Sequence, residues 1–127
     1  MLRLIIADDH AFFRTCLRRA CADEPGLEVV GEAGTGQEAL DLTAQLQPDV
    51  VLMDLEMPVL DGIQATRLIA TRFPLVGVLI LVTRRQDESL LQALRAGAQG
   101  YVLKGDEVQD LVAAIRCVGA GGAWITR

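Results

Sequence analysis

Short apolar runs alternate with amphipathic segments five times along this chain, and no other property narrows its fold so far. The runs fall at about 2–7, 27–32, 49–53, 77–82 and 99–103. LRLIIA and VVLM are apolar without alternation, as strands buried on both faces of a parallel sheet are, and the shorter GYVL suits an outer strand. The segments between and after them predict helices at about 10–22, 36–46, 62–72, 86–96 and 106–119. In the first, Phe13, Cys16, Leu17 and Ala20 recur at helical spacing; in the last, Val108, Leu111, Val112 and Ile115 do so. Punctuation agrees. Pro25-Gly26 breaks before the second strand, and Pro48 precedes the third. Gly34 turns into a helix begun by Thr35 or Gly36, and Gly97 stops the fourth helix. Strand–helix alternation with short links makes right-handed βαβ units. The expected fold is therefore α/β and flavodoxin-like: a five-stranded parallel sheet, order 2-1-3-4-5, with helices on both faces.

At 127 residues the chain is expected to form one domain, and 51% hydrophobic with 23% charged residues is too apolar for a disordered segment. No apolar stretch approaches the ~20 residues that span a bilayer, so no membrane association is expected. The start of the chain lacks the basic flank and cleavage-like site of a signal peptide, and a cytoplasmic location is expected. Cys16, Cys21 and Cys117 lack metal-ligand spacing and are expected as small apolar helix residues in a reducing compartment. A net charge of −5 and scattered arginines argue against nucleic-acid binding by these residues.

Charge sits where the apolar runs stop: Asp8 and Asp9 after the first, Asp54 after the third, Lys104 after the fifth. In the expected strand order the first and third strands are neighbours at the switch point, where open α/β sheets bind ligands. Three carboxylates there repel one another, and one lysine leaves two negative charges over, the charge of one divalent cation. A hard ion such as Mg²⁺ (or Mn²⁺) takes carboxylate and water oxygens. Asp9 and Asp54 are the expected direct ligands, with Asp8 behind them orienting a bound water. A site so neutralised suits phosphoryl transfer to an aspartate, with the metal and Lys104 facing the transferred oxygens.

IIADDH, LMDLEMPVLDG and ALRAGAQGYVLKG, in this order and spacing, resemble the receiver domain of two-component response regulators over essentially the whole chain. VVGEAGTGQEAL and GYVLKGDEVQDLVAAIRCVGAGG are similar in particular to the NarL/LuxR-type subfamily. The resemblance implies a CheY-like receiver over 1–120, with 121–127 a tail or the start of a linker to a helix-turn-helix output domain outside this chain. It implies Asp54 as phospho-acceptor, Asp8 and Asp9 as the Mg²⁺-holding pair, and the Glu56 backbone carbonyl as a further ligand. Lys104 would contact the phosphoryl group, Tyr101 would be the switch aromatic, and Pro58 and Gly62 would shape the loop after the acceptor. The implied partners are a sensor histidine kinase, a second copy of the chain on activation, and DNA only through the output domain. No turnover of a metabolite is implied.

One position departs from the family pattern. A Ser/Thr hydroxyl belongs at the end of the fourth strand, yet counting back from ALRAGAQGYVLK without a gap reaches Val82. Either the next loop is one residue shorter and Thr83 takes the role, which is preferred, or valine stands there and the hydroxyl is missing. A one-residue slip changes the face of the sheet. The missing hydroxyl would suit a different function, a pseudo-receiver that scaffolds other proteins without phosphorylation. An aspartate-nucleophile phosphatase is a weaker alternative.

Blander readings compete elsewhere. Asp8, Asp9 and Asp54 are each acceptable as helix N-caps, but three converging with Lys104 are not explained that way. His10 is expected as an exposed first-turn residue, and Arg84 and Arg85 as a solvated helix start. Gly34-Thr35-Gly36-Gln37-Glu38-Ala39 fits a dinucleotide fingerprint formally, but it does not follow the first strand as that motif must.

Overall fold

The computed structural model describes residues 1–83 and 88–125. Each apolar run is a strand: β1 (Leu2–Ala7), β2 (Leu27–Ala33), β3 (Val50–Asp54), β4 (Gly77–Val82) and β5 (Gly100–Leu103). They alternate with α1 (Ala11–Ala22), α2 (Gly36–Leu46), α3 (Gly62–Arg72), α4 (Glu88–Ala96) and α5 (Val108–Gly119). The sheet is parallel in every pairing and ordered β2-β1-β3-β4-β5, as expected. The expected α4 residues 86 and 87, with Arg84 and Arg85, lie outside the described residues.

The boundaries differ where side chains intervene. Asp54 is the last residue of β3 rather than the first beyond it. Helix α1 starts one residue later than expected because His10 is its N-cap, and α5 two later, behind Glu107. Thr35 caps α2, its side chain accepting from the Glu38 amide, and Asp61 caps α3 by accepting from Gln64.

Two apolar layers sandwich the sheet. On one face Ile5, Val51, Met53, Val78, Ile80 and Val82 pack with residues of α2, α3 and α4; on the other Leu4, Ile6, Val50, Leu52, Leu79 and Leu81 pack with residues of α1 and α5. The amphipathic stripes fit this only in part. Leu17, Leu111, Val112 and Ile115 are buried, whereas Cys16 and Val108 are exposed; all three cysteines lie on helices, and of them Cys21 is buried. Among the described residues no helix is long and apolar enough to cross a membrane.

Candidate functional site

Strand parity decides which side chains meet at the carboxyl end of the sheet. Successive residues of a strand face opposite ways, and register partners here fall in the same apolar layer: Leu52 with Leu79, Met53 with Ile80. Ala7 is level with Met53, so Asp8 and Asp54 come next side by side, continuing the face of Ile6 and Leu52. Asp54 is itself level with Leu81. Val82 pairs with Leu103, so the following residues, Thr83 and Lys104, continue the face of Leu81 and Val102. Asp8, Asp54, Thr83 and Lys104 thus all belong to the α1–α5 side.

Distances bear this out for the charged groups. Lys104 Nζ lies 2.8 Å from Asp8 Oδ2 and 3.4 Å from Asp54 Oδ2. It also stands over the Phe13 ring, 4.8 Å from the centroid, a cation–π contact that holds the ammonium from its apolar side. The acids differ in exposure: Asp8 is fully buried and Asp54 nearly so, while the Asp9 side chain keeps about a third of its surface. Asp8 Oδ1 accepts from the His10 amide at 2.8 Å, and Arg14 Nη1 donates to the Asp8 carbonyl. Asp54 Oδ1 accepts from the Glu56 amide at 3.4 Å. The cleft that opens over Asp54 is lined also by His10, Glu56, Thr83 and Lys104.

Burial dominates the electrostatics. It pushes the Asp54 carboxyl up to about 6, helped by the charge of Asp8 and opposed by Lys104 and the Glu56 amide. Burial alone would lower the Lys104 ammonium, but Asp8 and Asp54 outweigh it and the net shift is upward. Among the described residues, Asp8 Oδ2 and Asp54 Oδ2 are buried and have the Lys104 ammonium as their one partner. One ligand atom each from Asp8, Asp9, His10 and Asp54 lie within 4.8 Å of one another. An oxygen-rich set with unmatched negative charge fits a hard divalent cation.

Val82 and Thr83 both line the cleft but pack differently: Val82 is 3% exposed and belongs to the layer of Tyr101, whereas Thr83 is exposed. Tyr101 is buried at 8% exposure, level with Ile80. Gly62 lets α3 start against the acceptor strand: a Cβ there would stand 2.2 Å from the Asp54 carbonyl oxygen. Phe13 and Arg14 went unrecognised as site residues. Their only sequence signal is a place one turn into the helix that follows the acids, and many surface residues share that.

Residues 4–116 match the response regulator receiver domain model. Response regulator GacA of Pseudomonas viridiflava is 41% identical over 99% of this chain and 59% of its own length. Transcriptional regulatory protein DegU of Brevibacillus brevis is 39% identical over 98% of this chain and 52% of its own. The chain thus spans little more than half the length of these relatives. A LuxR-family two-component response regulator from Aurantimonas sp. SI85-9A1 superposes with a TM-score of 0.91 at 37% identity, covering 98% of this chain and 89% of that one.

Proposed function

This chain belongs to the response regulator receiver domain family, and from that premise we propose that Asp54 accepts a phosphoryl group from the histidine of a sensor kinase. The observation that carries the proposal is the placement of Asp54 at the floor of a cleft, between the acids of β1 and the ammonium of Lys104. A carboxylate oxygen of Asp54 attacks phosphorus in line, and the bond from phosphorus to the kinase imidazole nitrogen breaks. The electron pair of that bond returns to the ring. Lys104, fixed by Asp8 and the Phe13 ring, faces the equatorial oxygens as their charge develops. Asp9 and Asp54 with the Glu56 carbonyl would hold Mg²⁺, and Asp8 would orient one of its waters; the ion supplies positive charge to the same oxygens.

Thr83 is the hydroxyl that follows the phosphoryl group, because it brings a hydroxyl to the cleft over Asp54, whereas Val82, which also lines the cleft, has none and packs with Tyr101. Its inward movement changes the packing around Val82 and Tyr101 and biases the surface made by α4, β5 and α5 between two conformations. That surface, or α1 with α5, then pairs with a second copy. Residues 1–120 are the receiver unit, and 121–127 lead toward an output domain that binds DNA. The relatives' greater length and the name of DegU as a transcriptional regulator support this.

Intact-mass measurement after incubation with acetyl phosphate and Mg²⁺ tests the acceptor. Wild type is expected to gain one phosphoryl group and Asp54→Ala none. An unchanged wild-type mass, or an equal gain in the variant, rules Asp54 out.

A further inference from the structure

The outer edge of β5 is closed by the chain itself. After α5 the backbone reverses at Gly121, whose φ is 92°, and Gly122 N–H donates back to the Cys117 carbonyl at 2.9 Å. Trp124 then lies parallel to β5 as a single bridge opposite Gly100. Its N–H donates to the Gln99 carbonyl at 2.9 Å, and its carbonyl accepts from the Tyr101 amide at 3.0 Å. The next amide along that edge, Leu103 N–H, is taken by Asp106 Oδ2 at 3.1 Å, while Lys104 N–H donates inward to the Val82 carbonyl of β4. We propose that residues 122–125 are a strap on the strand that carries the switch aromatic. It is docked in the unphosphorylated domain and released when phosphorylation repositions Tyr101, and so it carries the state of the acceptor into the chain that leads out of the domain. This rests on the roles given above to Asp54 and Tyr101.

A strand edge left open offers its unpaired amides to any other chain, and covering it with a local segment removes that hazard. Two features make this cover a switch rather than a fixed cap. The first is its place. Both of its ladder bonds go to the residues on either side of Gly100, one of them to the backbone of Tyr101 itself, while the Trp124 ring packs half-buried against the α1–α5 layer. The strap thus joins the switch strand to the segment that follows the last helix. The second is a close fit with a weak hold. A Cβ on Gly100 would stand 2.2 Å from the Trp124 carbonyl oxygen and 2.9 Å from its nitrogen, so the strap fits only this course of β5. Yet two ladder bonds and one half-buried ring are what hold it there, and Ile125 beside them is 66% exposed. Segments with so few buried contacts open first in a folded protein. A small displacement at Tyr101 breaks the fit, and by reciprocity an undocked strap favours the phosphorylated state.

Hydrogen exchange at single amides, followed by NMR on the whole 127-residue chain, reads the strap directly. In the unphosphorylated protein the Trp124 and Tyr101 amides are expected to be protected. Exchange of Trp124 at the rate of an unstructured chain overturns the docking, whatever Asp54 does. With acetyl phosphate in excess and Mg²⁺, protection at both amides is expected to fall about tenfold or more, within the range that coupling between two sites usually spans. Gly77 N–H, bonded to the Asp49 carbonyl at the start of β4, is expected to keep its protection. Asp54→Ala under the same conditions is expected to keep the strap docked. Loss at all three amides, or loss in Asp54→Ala, overturns the proposal. Intact mass of the same samples separates this reading from the one it rests on. No mass gain in wild type removes the acceptor and this coupling with it, whereas a mass gain with Trp124 still protected removes the coupling alone.

Discussion

Asp54 works against folding at neutral pH, and the sign follows from its shift. An ordinary aspartate titrates near 3.8, and this one near 6. Between those values the unfolded chain has released the proton that the folded chain still holds, so stability falls as pH rises through the window and stays lower above it. Asp54→Asn is therefore expected to raise the urea-unfolding free energy at pH 7, without added divalent cation, by about 1–3 kcal/mol. The gain should vanish below about pH 4, and a gain that persists there would mean that burial of charge is not its cause. Lys104 acts oppositely. Lys104→Met strands two buried carboxylates and is expected to cost about 3 kcal/mol at pH 7, with a smaller loss at pH 5, measured the same way. That these residues carry charge at strand ends is visible in the chain. That the lysine rests on Phe13 is not, because ninety-odd intervening residues must first fold to bring ring and ammonium together.

The loop from Leu55 to Asp61 is the element that joins the acceptor to its neighbours. Val59 and Leu60 both hold positive φ, 49° and 70°, in the left-handed region that β-branched and bulky residues avoid. The strain is held from outside: Gln37 N–H donates to the Val59 carbonyl at 3.3 Å, and a Cβ on Gly36 would stand 1.8 Å from the Leu60 carbonyl oxygen. Gly36→Ala must therefore push α2 away from this loop and is expected to cost about 3 kcal/mol, read by urea denaturation. Val59 is 70% exposed, so Val59→Asn gives up little packing while Asn tolerates the conformation. A gain of about 1 kcal/mol is expected. The opposite edge of the sheet has its own close contact. Tyr101 N–H donates to the Trp124 carbonyl, Trp124 N–H donates to Gln99, and a Cβ on Gly100 would stand 2.2 Å from the Trp124 carbonyl oxygen. Gly100→Ala should lift residues 122–125 from β5 and shift the emission of the only tryptophan to the red. An unchanged spectrum would show that the strand edge tolerates the methyl group. Helix starts were legible at Thr35 because capping is local chemistry. The partner of Gly36 was not, since nothing near position 36 names Leu60.

For the molecule as a whole, binding a divalent cation only when folded should raise stability by mass action. Thermal midpoints at pH 7 are expected to climb with Mg²⁺ concentration in wild type and to stay flat in Asp9→Ala, which removes the exposed carboxylate proposed as a ligand. The chain by itself determined the α/β class and the ends of the strands that carry the acids, because apolar periodicity, caps and turns are short-range properties written residue by residue; the strand order came from the fold type that five βαβ units suit. Only the tertiary structure decided which face each strand-end residue takes. Thr83 stands with Asp54 and Lys104 and Val82 with Tyr101 through register between β3, β4 and β5, where a slip of one residue exchanges the two. The same holds for Phe13 under Lys104 and Leu60 against Gly36. Each is a contact of a few ångströms whose geometry is set by packing between whole elements, and no local pattern encodes it.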